Sequence, residues 1–309
     1  MPDTKEELGE ITRLEITCIS ERGWDDHQTL LGDIEDAGGL SSADQYEIPW
    51  PPFGELNAAN ARGACALLRA EGPDGARHAC LLDAGWGPRW IEERLEATGA
   101  GEMLRAGEIE LLVISHDHFD HLWGIGSVLQ HAPAIPIYVP RGISERGRAL
   151  IRDSGHRGDV VTVGPDRPVP LFPGASVVSR PIPSARQLLG AVDENSLYFN
   201  LQGRGMVVVT GCGHPGIDAL IDYAGQHLAG GGRIHAVYGG LHITPFDTPR
   251  DREPESRARR AALLRRLEGY GVAEWCCNHC TGRIAIDEMK EAGLDVREIR
   301  DGESVTWSA

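Results

Sequence analysis

The chain predicts an α/β fold of four layers, an αββα sandwich with two β-sheets face to face and helices on both outer sides. Three observations carry this expectation. Short apolar runs alternate with longer helical patterns from end to end. The first third is rich in strands, and the middle and end resume mixed strands and helices in a similar order. Gly- and Pro-rich loops are spread evenly, so no linker divides the chain, and residues 1–309 are expected to form one domain.

In chain order, strands are expected at Leu14–Ile19, Ala64–Arg69, His78–Leu82, Ile109–Ile114, Ile135–Val139 and Val160–Val163. They resume at Ser176–Arg180, Leu197–Leu201, Met206–Thr210, Ile234–Tyr238 and Glu274–Cys277, and close with Asp295–Ile299 and Ser304–Trp307. Helical periodicity marks Arg89–Ala97, Gly124–Gln130, Glu145–Ser154, Ile217–Leu228, Glu253–Glu268 and Arg283–Ala292. Pro136 demotes its strand to a sheet edge or a shorter piece. The exception is 21–60, a long loop with little periodicity. Trp24, Trp50 and Phe53 give it apolar anchors, so it is expected to be an ordered cover over the site.

Composition narrows the function. Hydrophobic residues make up 41% of the chain, which excludes a disordered protein. A net charge of −16 repels phosphodiester backbones and argues against nucleic acid as partner. No run approaches the ~20 apolar residues of a membrane helix, and the acidic N-terminus lacks the apolar core of a secretory signal. Seven cysteines without framework spacing suggest reduced thiols. The expectation is a cytoplasmic protein acting on a small molecule, with an oligomer left open.

The chemistry concentrates in Ser115-His116-Asp117-His118-Phe119-Asp120-His121, directly after the apolar run Leu111–Ile114. His116 and His118, two residues apart, cannot share a helix face but can converge from a loop leaving a strand end. Asp120 and His121 follow at the turn into the next helix. Imidazoles with one hard carboxylate suit zinc, iron or manganese and do not suit calcium. Outside this motif, His214, His242 and His279 each lie just after an apolar strand, where α/β sheets build sites. His27, His78, His131, His156, His227 and His235 lack that context and are expected to be structural or solvated. Asp83 also follows a strand and is expected to steady the metal loop by hydrogen bonds. Asp117 either supports that loop or is solvated.

Leu82-Asp83-Ala84-Gly85, the H-x-H-x-D-H loop and the late strand-end histidines together resemble the metallo-β-lactamase superfamily. The resemblance spans about 12–307. Thr-Gly-Cys-Gly-His-Pro-Gly at 210–216, Gly-Gly-Leu-His at 239–242 and His-Cys-Thr-Gly at 279–282 are similar to one branch. So is the acidic Asp193-Glu194-Asn195 segment. That branch is named for 7,8-dihydropterin-6-methyl-4-(β-D-ribofuranosyl)aminobenzene 5′-phosphate synthase.

The resemblance implies a metallo-β-lactamase fold and two divalent ions, zinc foremost, with manganese or iron as alternatives. It implies His116 and His118 on one ion, Asp120 and His121 on the other, and His279 completing the second site. In that branch the histidine of the G-C-x-H element takes the remaining place on the first ion, which implies His214 there. Cys212, where many relatives carry a bridging aspartate, would be a bystander.

An enzyme is therefore expected, a metal-dependent hydrolase using activated water on an ester, lactone or phosphoester. Asp120 would orient the nucleophile, and His242 would protonate a leaving group or bind an anion. The alternatives are a synthase-like transferase and, from another class, an iron redox enzyme or a non-catalytic binding protein on the same fold.

Overall fold

The computed structural model describes residues 5–21, 27–52, 55–56 and 61–309. Trp24, Phe53 and the His27 side chain lie outside the described residues. Two seven-stranded sheets pack face to face with helices outside each, as the sequence predicts.

The first sheet begins with β1 (Arg13–Ser20), β2 (Cys65–Glu71) and β3 (Arg77–Leu82), and continues with β4 (Leu111–Val113), β5 (Ile137–Pro140) and β6 (Val160–Val163). The closing strand β14 (Ser304–Ser308) returns to its edge, giving the order β14-β1-β2-β3-β4-β5-β6. The second sheet holds β7 (Val169–Phe172), β8 (Ala175–Pro181), β9 (Asp193–Leu201), β10 (Gly205–Thr210), β11 (Ile234–Gly239), β12 (Glu274–Cys277) and β13 (Val296–Glu298). These seven lie side by side in chain order. Each sheet is antiparallel on one side and parallel on the other, the change falling at β3 and at β10.

Alternation along the central strands builds three layers of apolar contact. Ile16, Leu68, Leu82 and Val113 of the first sheet face Val177, Leu197, Phe199 and Val209 of the second. The alternate residues Leu67, Leu81 and Leu112 turn outwards against α2 (Pro88–Ala97), α3 (Ala100–Ala106), α5 (Ile125–His131) and α6 (Glu145–Asp153). Tyr198, Met206 and Val208 do the same against α7 (Ile217–His227), α8 (Pro254–Gly269) and α9 (Arg283–Glu291). Pro136 acts as expected: β5 starts one residue after it.

Segment 21–60 differs from a plain loop. It contains helix α1 (His27–Asp36), whose Leu30 and Ile34 are buried with Ile48, Trp86, Phe119 and Leu189 in a fourth apolar cluster. Trp50 packs at 5.0 Å from Trp86 and 4.5 Å from Phe119, ring centroid to centroid. The helix went unread because Gly32 interrupts a short pattern whose two core residues are four apart. No helix among the described residues is long and apolar enough to cross a membrane.

Candidate metal centre

The site lies at the carboxyl ends of the parallel strands of both sheets. The motif leaves β4, and its second half forms the one-turn helix α4 (Phe119–Leu122) that carries Asp120 and His121. His214, His242 and His279 follow β10, β11 and β12. Asn195 on β9 ties the two sheets here, donating its backbone N–H to the Ser115 carbonyl at 2.7 Å and its amide to Ile114 at 2.9 Å. Gly211 is required, since a Cβ there would sit 2.3 Å from Ser115 Oγ.

The ring nitrogens converge in two groups. His116 Nε2 is 2.9 Å from His118 Nδ1, and the His214 ring lies 4.8 Å from His116 and 5.1 Å from His118. His121 Nε2 is 3.1 Å from His279 Nε2, which is 3.2 Å from Asp120 Oδ2. The Cys212 sulfur sits between the groups, 3.2 Å from His121 Nε2 and within 4.8 Å of a ligand atom on each of His116, His214 and His279. The expected bystander is thus inside the cluster, because the turn after β10 carries Cys212 towards the motif.

The outer ring atoms are held by the protein. His118 Nε2 donates to the Leu188 carbonyl at 2.8 Å, and His279 Nδ1 donates to the Glu21 carbonyl. His121 Nδ1 donates to Asp83 Oδ2 at 2.6 Å. Asp83 also accepts the Ser115 N–H at 2.6 Å and its hydroxyl at 2.7 Å, leaving Ser115 Oγ to accept from His116 Nδ1 at 2.9 Å. With their outer nitrogens donating, these rings turn their other nitrogens inwards at about 3 Å spacing. That spacing is close to the ~3.3 Å expected between two nitrogens on a tetrahedral zinc. His214 is buried with both ring nitrogens lacking a protein partner. Burial first, then the neighbouring imidazoles, holds His116 and His214 well below the ordinary imidazole value, so both stay neutral. This donor set fits divalent transition ions.

His242 lies with its ring 4.2 Å from His214, and it lines the cavity. Asp117 turns away, accepting the Ser144 backbone N–H at 2.9 Å. Among the histidines set aside, His131 meets Glu92 at 3.0 Å and His156 donates to the Ile135 carbonyl at 2.8 Å. Two supporting side chains had no role assigned from the sequence. Glu194, fully buried, accepts the N–H groups of Cys212, Gly213 and His214. Gln45 clamps the motif through the Asp117 carbonyl at 2.8 Å and the Phe119 N–H at 2.7 Å. A carboxylate within an apolar strand was the available signal for Glu194; nothing marked Gln45.

A cavity of about 490 Å³ opens over the cluster. Leu189, His242, Asp247 and His279 on its wall have left-handed backbone, as does Asp83 beneath it. Such conformations cost roughly 1–2 kcal/mol each for ordinary residues and collect at functional sites.

Comparison with known proteins bears on the fold. Residues 78–228 match the model of the β-lactamase superfamily domain. Over that stretch the chain is similar to the β-lactamase superfamily domain, and its two packed sheets have the metallo-β-lactamase fold. Over 220 residues it is 23% identical to the 7,8-dihydropterin-6-methyl-4-(β-D-ribofuranosyl)aminobenzene 5′-phosphate synthase of Methanocaldococcus jannaschii, covering 59% of this chain and 71% of that one. Among solved structures, Tm1679, described as a metal-dependent hydrolase of the β-lactamase superfamily, superposes with a TM-score of 0.60 at 16% identity. That match covers 96% of this chain and all of the other. Zinc-bound PqqB of Methylobacterium extorquens superposes with a TM-score of 0.55 at 14% identity, covering 94% of this chain and 99% of PqqB.

Proposed function

We propose that this protein is a dinuclear metal-dependent hydrolase acting on a small ester or lactone. The observation that carries the reading is the pair of inward-facing donor groups with Cys212 between them. His116, His118 and His214 would hold one ion, and His121, His279 and Asp120 the other, with the Cys212 sulfur in reach of both. Imidazole, thiolate and a single carboxylate suit zinc best, with manganese or iron as alternatives. Two such ions would supply Lewis acidity and bring the pKa of water from ~16 towards neutrality.

The chain's own groups do the rest. Asp120 keeps 16% of its side chain exposed, lines the cavity, and is positioned to orient attacking water and accept its proton. His242, on the same wall, donates an imidazole proton to the departing oxygen. Asp83 and Ser115 fix the rings of His116 and His121, and Glu194 fixes the backbone that carries His214.

Five carboxylates (Glu21, Asp120, Asp247, Glu298 and Asp301) and three guanidiniums (Arg62, Arg283 and Arg300) are among the described lining residues. With Asp120 on an ion, the remaining wall holds four carboxylates against three guanidiniums and adds no attraction of its own for a phosphoester or diphosphate. The second reading, a transferase, draws on the likeness to the archaeal synthase. The deciding experiment strips the protein with a chelator, restores zinc or manganese, and assays esters, lactones and a pterin diphosphate. Ester or lactone turnover that disappears and returns with metal supports the hydrolase. Activity indifferent to metal, or confined to the pterin, refutes it.

A further inference from the structure

We infer that the substrate is amphiphilic, with a hydrophobic part on the His118 side of the reacting carbonyl and a hydrophilic part on the His279 side. The inference rests on the hydrolase reading of the same site. It concerns which molecule fits there.

The two donor groups face different walls. On the His118 side the neighbour is Leu188, whose carbonyl takes the His118 Nε2 proton. Leu188 and Leu189 line the cavity with Leu30, Ile34, Leu40 and Phe246. These residues come from three separate segments. They nevertheless form one surface: the Leu189 N–H donates to the Leu40 carbonyl at 2.9 Å, and Leu30, Ile34, Leu189, Leu40 and Phe246 belong to one apolar cluster. Leu40, Leu188 and Phe246 remain half-buried. A hydrocarbon group covering them would recover roughly 25 cal/mol per Å² of apolar surface.

On the His279 side the wall is ionic. The Glu21 carbonyl takes the His279 Nδ1 proton, and the Glu21 N–H donates to Asp301 Oδ1 at 2.9 Å. Arg62 faces Asp301 at 3.7 Å, while Arg283 at 2.9 Å and Arg300 at 3.3 Å both face Glu298. Each guanidinium already has a carboxylate opposite it. A compensated wall of this kind favours hydroxyls, amides or a zwitterion, which exchange hydrogen bonds with both signs of charge. It offers a phosphate dianion no net attraction.

Cys212, which also lines the cavity, lies between the two donor groups, so the polarity of the cavity changes across the cluster itself. A volume of about 490 Å³ suits a molecule of drug-like size. The reaction balances simply. Water adds to the carbonyl carbon, the C–O bond breaks, one proton passes to the departing oxygen, and an acid and an alcohol leave.

The test reads binding without turnover. The zinc-loaded full chain is titrated calorimetrically with acetohydroxamate, hexanohydroxamate and octanohydroxamate, which share one chelating head. Affinity is expected to rise about four-fold per added methylene until the wall is covered. Leu40→Gln and Leu188→Gln, at two half-buried positions, should each cut the octano-to-aceto affinity ratio by about ten-fold. Affinity independent of chain length, or equal weakening of all three probes in a variant with an unchanged melting temperature, overturns the apolar half.

Competition against octanohydroxamate reads the other half. N-(2,3-dihydroxypropyl)octanamide should displace it at lower concentration than N-butyloctanamide, and the reverse order overturns the hydrophilic half. If the hydroxamates follow chain length while no ester is turned over, the hydrolase reading fails and the split pocket stands.

Discussion

The Glu194 carboxylate accepts the backbone N–H of His214 at 2.7 Å from inside strand β9. Its other oxygen takes the N–H groups of Cys212 and Gly213 and the Thr210 hydroxyl, all at 2.8 Å. Burial pushes this carboxyl up, and those donors work against the rise. Glu194→Gln would turn an NH2 towards some of these donors. The expected loss is about 2–3 kcal/mol of stability and about 10- to 100-fold in metal affinity. Zinc competition with a chromophoric chelator measures the affinity, and a variant that binds zinc as tightly as the parent would remove Glu194 from the positioning role.

Asp83 supports the other sheet's contribution. It takes three hydrogen bonds, from the Ser115 N–H, the Ser115 hydroxyl and His121 Nδ1, so it fixes which nitrogen of His121 faces inwards. Its φ is 63°, a conformation that Asn shares more readily than most residues. Asp83→Asn should therefore fold, yet bind metal about 10- to 100-fold more weakly. Loss of folding with retained metal affinity in the remaining native fraction would assign Asp83 to the fold instead.

The sandwich was legible because strand periodicity, the lack of a linker and the repeated element order all point the same way. Short pieces were missed where that signal is weak. β7 has Pro170 in a four-residue strand, and α3 spans seven residues between two glycines. The donor histidines were legible because motif spacing and strand-end position are properties of sequence. The atoms that aim them were not: the Leu188 and Glu21 carbonyls belong to the backbone, which any residue type could supply. The Cys212 sulfur could not be located from sequence either, since its reach to both donor groups depends on how the β10 end meets the β4 loop.

Cys212 makes a spectroscopic prediction. Its sulfur lies 3.2 Å from His121 Nε2 and within reach of both donor groups, so a bound ion is expected to take it as thiolate. Cobalt-loaded protein should show an intense near-ultraviolet thiolate-to-metal band that vanishes in Cys212→Ser and persists in Cys280→Ser. A spectrum unchanged by Cys212→Ser would return Cys212 to a bystander.

The Asp120–His279 pair sets a pH dependence. Asp120 Oδ2 and His279 Nε2 are 3.2 Å apart. Burial alone would lower the His279 value, but the Asp120 hydrogen bond and charge outweigh it and raise it to about 10. Burial likewise pushes the Asp120 carboxyl up, and His121 and His279 hold it below the ordinary carboxylate range. His279 is raised above its ordinary 6.5, so its share of stability is complete below about pH 6.5 and fades as pH climbs through about 10. The carboxyl is lowered, so its share is lost at the acid end, as pH falls below about 4. An ion entering this site must displace the His279 proton, so affinity should fall with falling pH. At pH 8, zinc loading in weak buffer with an indicator dye should release about one proton per chain from this pair. Asp120→Asn leaves His279 neutral at that pH, so its release should be smaller by about that amount. Equal proton release from the two proteins would mean that the cation does not enter between Asp120 and His279.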